Sequence, residues 1–398
     1  MMEGDTFGFM LVFGLSSRCN LQCTYCNANA GPDGVRPTLD PRLVEGWVEA
    51  FASLDPAYMA VQLHGGEPLL VDPPVEAYGA IVRNMMARFP RTALGYLGFQ
   101  SNGAALTPRR IGEIDAVGLS MDVSIDGPAW IHDPQRPARR RSRHAAAVGA
   151  PRLLPAPARP AGVVSVNTDP AHVVPAVEYF IENGFGDVRM NVIRPEGRAK
   201  YLPHAGETSM MEEMARQYFR AAQRIAAHNE AHPEAPFYEY NLSSLMRILL
   251  GEERETEMVY WSFLIDHRGR LWSHHCVFYG EGNQLTDGEA RSIALVRQEL
   301  GLDGVPALSR AAVAGAIRQR LDQNAFTACA DCKSPGFCVP VYGRRSEAEP
   351  RNPVCVWTSS LTAYLAAWLR EDPAAARRTV PGAGPQAEAG IGAVAVAA

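Results

Sequence analysis

Short apolar runs alternate with stretches of helical periodicity from residue 7 to about 228, and this alternation constrains the fold more than any other feature of the chain. The strand candidates are Phe7–Leu15, Ala60–His64, Leu94–Gln100, Leu119–Ile125, Gly162–Val166 and Asp187–Ile193, rich in Val, Leu, Ile and aromatics and mostly bounded by Gly, Asn or Pro. Between them lie helix candidates at Pro41–Leu54, Pro74–Phe89, Pro108–Val117 and His172–Asn183, three of which open at a proline suited to a first helical turn. Strands alternating with helices imply an α/β fold with a parallel sheet. Six such units fall short of the eight of a closed barrel, so the expectation is a partial (β/α)6 TIM-like barrel. A long helix over Gly206–His228 follows, with Ser209 and Glu212 at capping-box spacing. A second mixed region runs from about Tyr238 to Arg370, and the Ala-, Gly- and Pro-rich end lacks periodicity. The predicted division is a core at 1–228, a helical bridge at 229–260, a smaller loop-rich domain at 261–371 and a disordered tail at 372–398. Residues 134–162, rich in Pro, Arg and Ala, give no clear pattern.

With 398 residues the chain is long enough to bury a large core. Its 38 Lys and Arg against 43 Asp and Glu leave a net charge of −5, which does not suit a nucleic-acid partner. The basic cluster Arg139-Arg140-Arg141 with Arg143 reads as a solvated face. The N-terminus lacks the basic and small-residue signature of a secretory signal, and no run of eighteen apolar residues predicts a membrane span. A soluble, cytoplasmic protein with no membrane partner is expected.

In that reducing setting the eight cysteines point to metal or redox chemistry rather than disulfides. Cys19, Cys23 and Cys26 form one cluster; Cys329, Cys332, Cys338 and Cys355 form another, with Cys276 between them. The first, CNLQCTYC, follows the first predicted strand, on the side of a parallel barrel where active-site loops gather. Three thiolates can hold three corners of a cubane and leave one iron open. Zinc is the alternative, although structural zinc takes four protein ligands and no fourth stands nearby in sequence. The second strand ends in His64-Gly65-Gly66-Glu67-Pro68, where paired glycines permit close backbone approach and Glu67 offers a carboxylate for an ammonium group. The third ends in Gln100-Ser101-Asn102-Gly103 and the fourth in Ser124-Ile125-Asp126-Gly127-Pro128. Each alone is a weak turn signal; their recurrence after consecutive strands is not.

In order, CxxxCxYC, GGEP, SNG and SIDGP resemble the radical S-adenosylmethionine superfamily, in its peptide- and protein-modifying branch, over roughly residues 7–200. The resemblance implies that Cys19, Cys23 and Cys26 hold a [4Fe–4S] cluster whose open iron chelates the amino and carboxylate groups of S-adenosylmethionine. It implies that Gly65, Gly66 and Glu67 hold the methionine ammonium, that Ser124 with Asn102 or Asp126 contacts ribose or carboxylate, and that Tyr25 lies near adenine. The strand around Asn191-Val192-Ile193-Arg194 resembles the family's final core strand, so Ile193 backbone is expected against adenine. Arg136, in HDPQR, is a candidate carboxylate partner. Such a cluster delivers an electron to the sulfonium, and the resulting 5′-deoxyadenosyl radical abstracts hydrogen from unactivated C–H bonds, with the protein supplying orientation.

By spacing alone, Cys329-x2-Cys332-x5-Cys338 with Cys355 fits either one fully ligated cluster or an all-thiolate zinc site. Beside a radical core it resembles a SPASM domain, which implies one auxiliary [4Fe–4S] cluster. The pattern is degenerate: Tyr342 stands where a further cysteine is expected, and Cys276 falls two residues beyond the expected place near His274. A second auxiliary site is therefore read as lost, or remade from His274, His275 and Cys276, with a buried thiol the plainer fate of Cys276.

These features imply an enzyme, a radical oxidoreductase that installs a crosslink or an epimerisation in a precursor peptide or protein. The alternatives are a small-molecule radical enzyme and, more remotely, a non-enzymatic zinc-binding interaction protein. A sulfatase-maturing role is disfavoured because that family keeps both auxiliary clusters. Expected partners are an external electron donor of the flavodoxin or ferredoxin type and, since few residues precede the first strand, a peptide recognised by the barrel mouth, by the C-terminal domain or by a separate leader-peptide-binding protein. The polar candidates for a proton acceptor, His274, His275, Tyr238, Glu239, Tyr240 and Asp266, are not distinguished by sequence.

Overall fold

The computed structural model describes residues 7–34, 37–138, 162–251, 259–272, 297–298, 302, 309–324 and 353–381. Its first six strands are β1 (Phe7–Gly14), β2 (Tyr58–His64), β3 (Ala93–Ser101), β4 (Ser120–Ser124), β5 (Val163–Asn167) and β6 (Asp187–Val192). They pair in parallel in sequence order, as the sequence predicts. Helices α1 (Pro41–Ala52), α2 (Val75–Met86), α3 (Pro108–Ala116), α4 (Ala129–Gln135) and α5 (Val173–Glu182) occupy the crossovers. Proline opens α1 and α3, and the Asp40 and Thr107 side chains cap them by accepting the Arg42 and Arg110 amides.

Period-two alternation splits the β1 side chains between two cores. Phe9 stands edge-on to Phe51 at 5.1 Å, and Phe51 packs 4.8 Å from Phe263, in the layer between sheet and helices. Met10 and Val12 face the other way, with Ala60, Tyr96 and Leu264, in the cluster that also holds Cys19.

Three further strands flank the six. β7 (Tyr238–Glu239) adds to β6, and β8 (Val259–Ile265) lies parallel to β1 across from β2. β9 (Leu271–Trp272) then returns antiparallel to β8. The expected domain division places 229–260 in a helical bridge and 261 onward in a separate domain, yet β7 and β8 complete the core sheet. The reason is local: VYWSFLI is apolar on both faces, as a buried parallel strand requires. Helix α6 (Thr208–Ala231) is the predicted long helix, but its N-cap is Glu207, whose side chain makes no capping bond and meets His204 instead, so the helix does not start on the Ser209–Glu212 capping box.

Beyond β7 come α7 (Tyr240–Leu250), α8 (Arg310–Asn324), α9 (Pro353–Glu371) and α10 (Pro373–Arg377). Residues 372–381, expected to be disordered, are instead ordered: α10 is capped by Asp372, and the Thr379 carbonyl accepts from Ser243 Oγ at 2.7 Å. Trp357 of α9 packs edge-on to Tyr218 of α6 at 5.2 Å. No described helix is long and apolar enough to cross a membrane.

Candidate active site

The segment after β1 carries Cys19, Cys23 and Cys26 across the mouth of the sheet, and three neighbouring crossovers grip it. Beyond β2, the Gly66 and Glu67 amides donate to the Ser16 and Arg18 carbonyls at 2.6 and 2.9 Å. Gly65 has φ +124°, and a Cβ on Gly66 would stand 2.0 Å from the Arg18 carbonyl oxygen. The close approach predicted for the paired glycines is thus made to the cysteine loop itself. Beyond β4, the Gln135 and Pro137 carbonyls accept from the Thr24 and Gln22 amides. Beyond β6, Arg198 donates from Nε to the Cys23 carbonyl and from Nη2 to the Ala30 carbonyl, both at 2.7 Å.

The three cysteines pack in one apolar cluster with Leu21, Ala28 and Ala30. Burial pushes the Cys19 thiol up to about 12 and the Cys23 thiol up to about 11, each raised further by its neighbouring sulfurs. Buried thiols so close together are soft donors that only a cation would convert to thiolates. Among the described residues no three Cys, His, Asp or Glu side chains converge on a single metal-ion position. A cubane engages each thiolate through a different iron, and three soft cysteine donors side by side in one apolar cluster are the donor set that such a group takes. The residues present fit an iron–sulfur cluster.

Two buried carboxylates flank this loop. Glu67 accepts from Ser101 Oγ at 2.8 Å and the Leu69 amide at 3.2 Å through Oε1, and from the Asn102 amide at 2.8 Å through Oε2. Burial raises its carboxyl above the ordinary value, with these donors opposing the rise. Asn102 in turn points Nδ2 at Asn20 Oδ1, 2.7 Å away, and at Cys19 Sγ, 3.7 Å away. Asp126 receives Arg136 at both oxygens, Nε at 2.7 Å and Nη2 at 2.9 Å, and also the Tyr25 hydroxyl at 2.7 Å. Burial opposes ionisation of Asp126, but the Arg136 guanidinium outweighs it and holds the carboxyl below its ordinary value. The same guanidinium lies 5.3 Å from the centre of the Tyr25 ring.

Of the predicted residues, Tyr25, Gly65, Gly66, Glu67, Asn102, Asp126 and Arg136 lie around the cysteine loop, some in unexpected roles. Arg136, expected to meet a carboxylate of the cofactor, is paired with Asp126. Ser124 accepts from Gln100 Nε2 at 2.8 Å. Ile193 is buried, its amide donating to the Asn167 carbonyl at 3.1 Å. Cys355 sits in the first turn of α9, while Cys329, Cys332, Cys338, Cys276, His274 and His275 lie outside the described residues. Two proton-acceptor candidates are structural. Burial raises Glu239 to about 7 while it accepts the Met190 and Leu242 amides. Asp266 closes the β8–β9 turn, taking the Arg268 and Arg270 amides and the Arg270 and Trp272 side chains. Residues absent from the sequence expectation are His132, whose Nδ1 accepts the Asp126 amide at 3.3 Å, and Arg198. For Arg198 the available signal is its position next to a glycine just past the last core strand.

Residues 14–149 match the family model described as the Radical SAM superfamily. A curated relative, the uncharacterized protein sll1766 of Synechocystis sp., is 27% identical over 202 residues, 47% of this chain and 48% of that protein, so the match spans about half the length of the relative. Among solved structures, native anSMEcpe with bound AdoMet and Cp18Cys peptide has a TM-score of 0.67 at 15% identity, covering 93% of this chain and 99% of that one. Streptococcus suis SuiB bound to precursor peptide SuiA has a TM-score of 0.54 at 13% identity, covering 87% and 76%. At these identities the likeness is one of fold.

Proposed function

From the match of residues 14–149 to the radical SAM superfamily model, we propose that this chain is a radical SAM enzyme that modifies a peptide or protein substrate by hydrogen abstraction, as a maturase that installs a crosslink or an epimerisation. The observation that carries the reading is the gathering of Cys19, Cys23 and Cys26 in one apolar cluster beside the Glu67 carboxylate and the Asn102 amide. When bound there, a [4Fe–4S] cluster and S-adenosylmethionine supply reductive sulfonium cleavage and a carbon radical able to take hydrogen from the substrate.

The chain's own residues bind, orient and exclude. The three thiolates hold the cluster. Glu67, buried and fixed by Ser101 and Asn102, offers its remaining lone pairs to an ammonium group, a charge-assisted contact stronger than a neutral one. Tyr25 and Ser124 stand at the same mouth to meet the nucleoside. The apolar wall of Met10, Val12 and Ala60 excludes competing hydrogen donors. The peptide substrate is supported by the fold likeness to SuiB, bound to its precursor peptide, and to anSMEcpe, bound to a peptide. Cys329, Cys332, Cys338 and Cys355 would hold one auxiliary cluster, and an external donor of the flavodoxin or ferredoxin type would supply the enzyme's electrons.

Anaerobic reconstitution tests the chemistry. The wild type is expected to bind iron and sulfide and to form 5′-deoxyadenosine with dithionite, and Cys19→Ala, Cys23→Ala or Cys26→Ala to abolish it. A cluster-loaded wild type that forms none would overturn the reading. Mass spectrometry of a co-expressed precursor peptide tests the substrate class.

A further inference from the structure

Of the three grips on the cysteine loop, the one beyond β6 is charged. The five-residue 3₁₀ turn Gly197–Tyr201 meets the loop backbone directly: the Arg198 amide donates to the Cys26 carbonyl at 3.0 Å. Gly197, at φ +55°, lies so close that a Cβ would stand 2.4 Å from the carbonyl oxygens of both Cys26 and Asn27. From there the Arg198 guanidinium spans the second half of the loop, joining the Cys23 and Ala30 carbonyls. Carbonyls that a lone loop would turn to water are here satisfied by a fixed cation. The pairing bridges 175 positions of sequence, so it closes the cysteine loop onto the far side of the sheet.

We infer that Arg198 is a positioning residue that clamps the Cys23–Ala30 segment and sets a permanent positive charge beside the cluster-binding thiols. Its consequence for a cluster rests on the radical SAM reading; the clamp itself does not. Two effects follow from two properties of one side chain. The planar fork holds two carbonyls at once, which a lysine ammonium on a flexible stem cannot reproduce. The charge favours the electron-rich state of a neighbouring cluster, because cluster potential depends on local charge and hydrogen bonding.

The test compares full-length wild type, Arg198→Lys and Arg198→Gln. Amide hydrogen exchange before reconstitution reads the clamp: amides of residues 22–31 are expected to exchange at least tenfold faster in both variants, with the β1–β3 amides unchanged. Exchange in that segment matching wild type in both variants would overturn the clamp. After reconstitution, the midpoint potential followed by electron paramagnetic resonance reads the charge: Arg198→Gln is expected to shift it to more negative values and Arg198→Lys to leave it in place. Equal shifts in both, or none in Arg198→Gln, would overturn the electrostatic role. If Arg198→Gln does not fold, exchange in Arg198→Lys decides the clamp and its retained potential decides the charge. A wild type that binds no cluster sinks the radical SAM reading while leaving the exchange result to stand.

Discussion

The two sides of the mouth solve one problem differently. Each places a carboxylate beyond a strand end and buries it to about 1% exposure, Glu67 after β2 and Asp126 after β4. On the β2–β3 side the donors are neutral: a serine hydroxyl and two backbone amides. On the β4 side a guanidinium donates to both oxygens, with a tyrosine hydroxyl and the Val166 amide added. Burial therefore wins at Glu67, whose carboxyl is raised, and the ion pair wins at Asp126, whose carboxyl is lowered. A carboxylate already matched by a cation has little left for a ligand, whereas one held by neutral groups still lacks a countercharge. On the proposed function Glu67 is the side open to a cationic group, while Asp126 holds Tyr25 and Arg136 of the segment after α4 in place.

The largest expected effect is on the β4 side. Asp126→Asn would leave the Arg136 guanidinium buried without its anion, and breaking such a pair costs roughly 3–5 kcal/mol. Urea unfolding should show a loss of that order, with Tyr25 and the cysteine loop freed in hydrogen exchange. Replacing both partners, as Asp126→Asn with Arg136→Met, should recover part of the loss, because a paired apolar replacement removes the unmatched charge. A single Asp126→Asn variant as stable as wild type would remove the contrast between the two sides.

Glu67→Gln should cost less, about 1–3 kcal/mol, because one amide NH₂ must face a donor while the shape is kept. The two carboxylates should also titrate with opposite sign. Asp126, lowered from its ordinary 3.8, contributes stability present above that value and lost as pH falls through its folded value. Glu67, raised from 4.5, contributes stability present below 4.5 and lost as pH rises through its folded value. Urea midpoints of the metal-free chain from pH 3 to 8 should therefore show a shallower acid-side fall in Asp126→Asn. In Glu67→Gln the loss of stability on the alkaline side of 4.5 should disappear. The same slope change in both variants would show that neutral and charged partners make no difference here.

The parallel sheet is legible in the sequence because short apolar runs and stretches of helical period alternate cleanly, and all six expected strands form with bounds shifted by only a residue or two. β8 escaped because it lies beyond the expected core boundary, although its apolar run belongs to the same sheet. At the site, the cysteines, the paired glycines, Glu67 and Asp126 are legible as motifs at strand ends. Their pairings are not. Nothing local in HDPQR tells that Arg136 will turn to Asp126, 10 positions earlier, rather than to a bound carboxylate. Nothing local to Arg198 points to the Cys23 carbonyl. Those choices are made by the sheet, which brings loops distant in sequence to one edge, and only the assembled chain displays them.

Ser124 joins the two sides and offers the smallest test of their difference. Its hydroxyl lies at the end of β4, two residues before Asp126, and accepts from Gln100, one residue before Ser101, which fixes Glu67. Removing it in Ser124→Ala deletes one neutral hydrogen bond, worth about 0.5–1.5 kcal/mol net, and leaves the ion pair and the Glu67 donors intact. Stability should fall by about 1 kcal/mol or less with no change in its pH dependence. If Ser124 also meets the nucleoside, the dissociation constant for S-adenosylmethionine in the reconstituted protein should rise by roughly tenfold, the equivalent of one such bond. An unchanged constant would confine Ser124 to orienting Gln100. A changed pH profile would show that the two sides communicate through this one hydroxyl.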